Sequence, residues 1–89
     1  MSMDNIDNTF IIRIDWTCWA AYEGALVDVE LIKQGEWPVV LRSFKSIEIA
    51  IRWARVWLGE RGYTHHCAID YHQAHDHTHI TLYPIRSPK

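Results

Sequence analysis

Hydrophobic and polar residues alternate from Thr9 to Thr17, with Phe10, Ile12, Ile14 and Trp16 on one side of the chain and Ile11, Arg13, Asp15 and Thr17 on the other. A period of two over this length predicts a half-buried strand. Val27, Val29 and Leu31 alternate with Asp28, Glu30 and Ile32 in the same way, and Glu23-Gly24 between the two segments is a turn signal. Counting outward from that dipeptide pairs Cys18 with Val29, Trp16 with Leu31, Thr17 with Glu30 and Trp19 with Asp28, so both strands agree on their apolar side. Gln34-Gly35-Glu36 predicts a second turn, and Val39 to Phe44 a third strand that tolerates Pro38 at its first position.

The period then changes. Ser46 offers a helix N-cap oxygen, Glu48 sits in the first turn where the helix dipole favours a carboxylate, and Gly59 and Gly62 are candidate stops, which predicts a helix over Ile47 to Arg61. On a helical wheel Glu48, Arg52 and Arg55 make a narrow polar stripe. The remaining side, from Ile51, Leu58, Ile47 and Ala54 through Ala50 and Trp57 to Trp53, Ile49 and Val56, is apolar over about 220°. A sheet face needs about half of that arc, so Ile49, Trp53 and Val56 require another cover: the loop through Trp37, a second copy in a homodimer, or a partner. His65 to Tyr71 and Thr78 to Tyr83 alternate again and predict a closing hairpin, with Cys67 and Ile69 read as core residues.

The predicted fold class is α+β: one domain over residues 1–89, a single antiparallel sheet in the order β-β-β-α-β-β with one helix on one face. Residues 1–8 and 86–89 are short polar ends of the kind that stay disordered. The opening of three strands and a helix resembles the layout of double-stranded-RNA-binding domains and some small antitoxins. Lys45 and Glu48 stand where those RNA binders place a lysine cluster at the helix start, so sequence-specific nucleic-acid binding is not expected.

Composition narrows the picture further. A net charge of −2 argues against gripping phosphate backbones through a basic field. Five tryptophans exceed what so short a core needs, and large rings anchor interfaces. Cys18 and Cys67 form no C-x-x-C, which suits reduced thiols, and the chain shows neither a signal peptide nor a membrane-length apolar run, so the expected location is the cytoplasm, away from membranes.

Six histidines fall between His65 and His79. If Ile69 and Ile80 share the core side, strand parity places Asp70, His72, His77 and His79 together on the opposite face. Three imidazoles and a carboxylate are a donor set of the kind zinc or nickel accepts. His79-Ile80-Thr81-Leu82 also resembles the H-x-T strand motif of the two-histidine (2H) phosphoesterases. That resemblance implies His79 as general acid or base and Thr81 as a phosphate-oxygen ligand, with a homodimer supplying the second motif. No other enzyme constellation is present in the sequence.

The first hairpin's outer face carries Asp15, Asp28 and Glu30 with Trp19 among them, an acidic patch with an aromatic anchor that suits a basic partner surface. Ile49, Trp53 and Val56 form a second candidate surface. The leading expectation is a non-catalytic protein-interaction module, an inhibitor by type, similar in size and mild acidity to anti-CRISPR and other anti-defence proteins or antitoxins.

Overall fold

The computed structural model describes residues 6–17, 26–72 and 77–86, apart from the side chains of Thr17, Asp70, Tyr71, His72, His77 and Thr78. Five strands and one helix follow in the order β1 (Phe10–Thr17), β2 (Val27–Lys33), β3 (Val39–Phe44), α1 (Ile47–Glu60), β4 (Tyr63–His72) and β5 (His77–Arg86). All pairings are antiparallel, and the sheet order is β3-β2-β1-β5-β4, so β3 and β4 are the edges. This is the α+β architecture that the alternation predicts.

The helix begins where Ser46 accepts a hydrogen bond from the Ile49 amide at 3.4 Å, and it ends at Arg61. Gly62 follows with φ of 84°, a left-handed conformation that glycine adopts without strain and that turns the chain directly into β4. Gly35, with φ of 77°, does the same in the turn between β2 and β3.

Ala50, Ala54 and Leu58, spaced every four residues, are completely buried against Ile12, Ile14, Val27, Val29, Ile80 and Leu82. The two alanines let the helix backbone come close to the sheet, and Leu58 fills the space beyond them. The helix leaves β3 at Phe44, which pairs with Val27, and delivers the chain to Tyr63, which pairs with Arg86 at the other end of the sheet. It therefore lies diagonally, from one corner to the opposite one. Two corners of the same face stay open, and Val39 and Ile69, which occupy them, are 56% and 53% exposed.

The structure corrects several expectations. β1 and β2 pair Ile14 with Val29, Ile12 with Leu31, Arg13 with Glu30 and Asp15 with Asp28, four residues away from the register counted from Glu23-Gly24. An even shift keeps each side chain on its expected face, and this one adds an Arg13–Glu30 ion pair at 3.0 Å. Glu23-Gly24 itself lies outside the described residues. Cys67 is exposed rather than core: β4 is an edge strand, and the helix covers only its beginning. Trp37 is 90% exposed and covers nothing on the helix. Between Val29 and Glu30 the β3 register slips by one, leaving Leu41 as a bulge.

Residues 6–8 belong to the fold, although the sequence reading groups them with a tail. Ile6 bridges Ile85, and the Asp7 amide donates to the Pro84 carbonyl at 2.9 Å. The Asp7 carboxylate accepts from the Thr9 hydroxyl and amide at 2.5 and 2.9 Å and from the Tyr63 hydroxyl at 2.8 Å, with Arg86 at 3.7 Å. These donors, Thr9 foremost, hold the carboxyl down from 3.8 to about 2.

Two stability outcomes follow. A carboxyl with a depressed folded pKa stabilises fully above its unfolded value, and that contribution fades as pH falls through the folded one. Asp7→Asn should therefore lower the melting temperature at neutral pH and lessen the loss of stability between pH 4 and pH 2, as read from thermal melts across that window. Leu58→Ala should cost about 2–5 kcal/mol in chemical denaturation, because it opens a cavity in the packed layer. Val56→Ala, on the open flank, should stay within about 0.5 kcal/mol of the parent.

Candidate functional site

The sheet face opposite the helix carries a polar row that crosses all five strands. By register Ser43 stands opposite Asp28, Asp28 opposite Asp15, Asp15 opposite His79, and His79 opposite Asp70. Two carboxylates directly opposed across a strand pair repel. Each has an answer from the other side: the Ser43 hydroxyl donates to Asp28 at 2.6 Å, and His79 Nδ1 lies 3.1 Å from an Asp15 oxygen. The next row pairs Arg13 with Glu30, and the guanidinium is bonded to that carboxylate. Asp15, Asp28 and Glu30 are thus brought together as expected, but each already has a partner within the domain. Trp19 lies outside the described residues.

The histidine set is placed in part. His72 stands opposite His77 and Asp70 opposite His79, so the backbone register brings the four positions to one end of the closing hairpin. The side chains of Asp70, His72 and His77 are not described. Among the described residues no group of three His, Cys, Asp or Glu side chains is positioned to hold a metal ion. In the H-x-T segment, Thr81 is only 5% exposed, which withdraws from solvent the hydroxyl that the phosphoesterase motif uses on phosphate.

The helix side offers a different chemistry. Ile49 and Val56 are half exposed, and between them the Trp53 ring packs on Phe44 with centroids 5.8 Å apart. This contact places the stripe on the β3 side of the helix and makes Trp53 partly a core residue. Towards the helix C-terminus the stripe leads to a cleft of about 400 Å³ lined by Phe10, Leu31, Lys33, Trp57, Arg61 and Tyr63. It opens beside the helix C-terminus, at the end of the sheet where β1, β2 and β4 present Phe10, Lys33 and Tyr63.

Its walls are fixed from several directions. Phe10 meets Trp57 and Tyr63 edge to face, at 6.3 and 5.4 Å between centroids, and the Tyr63 hydroxyl is tied to Asp7. The Arg61 guanidinium stacks 3.7 Å above the Trp57 ring while donating to the Trp57 carbonyl at 2.9 Å. Lys33 at the mouth is exposed; further along the apolar strip Arg42 lies over the Phe44 ring at 5.5 Å, and exposed Arg52 is one helical turn from both Ile49 and Val56, and among the described residues none of the three makes an ion pair. Sequence reasoning missed the cleft because its walls come from the ends of four elements. The only available signal was Trp57 on the apolar arc, with Tyr63 just past the glycine stop.

The open face thus carries carboxylates with partners inside the domain, while on the helix side Lys33, Arg42 and Arg52 make no ion pair among the described residues and Arg61 pairs with Glu60 at 3.9 Å. Among the described residues no helix is long and apolar enough to cross a membrane. No family model, no curated protein and no solved structure matches this chain.

Proposed function

We propose that this protein is a non-catalytic interaction module that seats a partner protein against the β3 side of its helix, over Ile49, Val56 and the aromatic cleft. The observation that carries this reading is the uncovered apolar strip, with Ile49 at 51% and Val56 at 54% exposure leading into a cleft with three aromatic walls. Apolar and aromatic surface of this kind is what interface centres are made of. Lys33, Arg42 and Arg52 frame it, so the matching surface is an apolar patch rimmed by carboxylates. A basic partner on the opposite face is less favoured, because Asp15, Asp28 and Glu30 are already partnered. A domain of 89 residues with one such strip acts by masking the surface it covers, the role of an inhibitor of a larger assembly.

The test uses the exposed pair, since removing Trp53 would also disturb its packing on Phe44. Affinity capture from the native cells should retain a partner with the wild-type chain and with Asp28→Asn. With Ile49→Ser combined with Val56→Ser that partner should be lost, with affinity falling at least about tenfold if each side chain contributes roughly 1 kcal/mol. Identical capture by wild type and the double variant would end this reading.

A second reading rests on the register of the closing hairpin, which sets His72 opposite His77 and Asp70 opposite His79. On that reading the tip binds a divalent metal, zinc or nickel. Saturating zinc should then raise the melting temperature by more than about 5 °C, since ligand at a hundred times its Kd stabilises by about 2.7 kcal/mol. The rise should vanish when His72, His77 and His79 are replaced by alanine. A melting curve indifferent to both metals would remove this alternative.

A further inference from the structure

The two sheet edges are built differently. β3 is six residues long, carries the Leu41 bulge and Arg42, is preceded by Pro38 and is followed by Lys45. Bulges, prolines and charges are the devices by which sheets prevent further strands from adding to an edge. β4 has none of them from Tyr63 to Ile69: the run Tyr-Thr-His-His-Cys-Ala-Ile holds no Asp, Glu, Lys, Arg, Pro or Gly. It is ten residues long and pairs with β5 without a break in register, so no bulge interrupts its outer row of backbone groups. Among the described residues no strand covers that row. Exposed Cys67 and half-exposed Ile69 stand on it, beyond the reach of the helix.

We propose that β4 is a self-association edge, through which two copies of this chain pair antiparallel about a twofold axis and join their sheets into one. A second copy is the occupant that the edge itself fits. The one carboxylate of the strand, Asp70, meets Thr64 of the second copy when the axis is at Cys67 and His66 when it is at Ala68, never its own copy, whereas β3 would bring Arg42 towards Arg42. Parity then fixes the geometry. The axis must stand perpendicular to the sheet, both helices lie on the same side, and opposed residues must share a face. One residue therefore lies opposite its own copy. The midpoint of Tyr63–His72 falls between Cys67 and Ala68, so the axis passes at one of these two. With the axis at Cys67, Ile69 lies beside His65 of the second chain; with it at Ala68, Ile69 lies beside Cys67. Either way its exposed side gains a neighbouring strand.

The experiment is sedimentation equilibrium of the full chain, combined with a short bismaleimide that couples cysteines. At about 100 μM, where a Kd of 10 μM or tighter leaves mostly dimer, wild type and Cys67→Ser should sediment at twice the 10.5 kDa chain mass. Cys67→Lys should halve that mass while keeping its circular dichroism spectrum. In the Cys18→Ser background the reagent should yield a covalent dimer through Cys67, the one thiol left. A wild-type chain at 10.5 kDa would overturn the proposal. So would a dimer that survives Cys67→Lys, or one that Ile49→Ser with Val56→Ser abolishes instead.

Discussion

One helix cannot cover five strands, and most of what distinguishes this domain follows from that mismatch. Neighbouring strands lie about 4.8 Å apart, so a five-stranded sheet is roughly 20 Å wide, twice the breadth of a helix. The molecule resolves the mismatch by laying α1 diagonally over the central strands, where Ala50, Ala54 and Leu58 reach Ile12, Ile14, Val29 and Leu82. The same diagonal leaves Val39 and, on the bare part of β4, Ile69 exposed at the two uncovered corners, and the aromatic cleft opens beside the helix C-terminus, at the ends of β1 and β2. The core and the candidate surfaces are thus two results of one packing arrangement.

What the sequence made legible is whatever depends on parity. Ile12, Ile14, Val27 and Val29 could be assigned to the core because side chains two apart share a face, and that holds whichever way the strands pair. Register was less legible, because a shift of four residues leaves every face unchanged. The turn dipeptide was the only local guide, and the pairing of Arg13 with Glu30 and Ile14 with Val29 outweighed it. Strand order was not legible at all. Cys67 has the phase of a core residue, and only knowing that β4 lies at the edge shows why it is exposed. The aromatic cleft was out of reach for the same reason, since Phe10, Leu31, Trp57 and Tyr63 meet only once the order of the strands is known.

The open face shows how far charge counting can mislead. Asp15, Asp28 and Glu30 read as an acidic patch when counted along the chain. Register sets Arg13 against Glu30, Ser43 against Asp28 and His79 against Asp15, so every carboxylate of the patch has a partner inside the domain and the Glu30 charge is matched by a guanidinium. Lys33 and Arg52 make no ion pair among the described residues, and Arg42 has only the Phe44 ring beneath its guanidinium at 5.5 Å, although all three belong to a chain of net negative charge. Attraction for a partner therefore follows the local arrangement and not the total.

The Asp7 clasp links stability to the candidate surface. Tyr63 forms a wall of the cleft with its ring, while its hydroxyl is held by a carboxylate that also ties Thr9 and Arg86. A tyrosine at the start of an edge strand has few neighbours to fix its ring, and here Phe10 on one side and the clasp at its tip supply the constraint. The segment before β1 thereby shapes the cleft without lining it: Asp7 restrains Tyr63, Tyr63 restrains Phe10, and Phe10 meets the Trp57 ring on which Arg61 rests. A surface held in this way loses little conformational entropy when a partner arrives, and such preorganisation lets a small apolar area bind tightly.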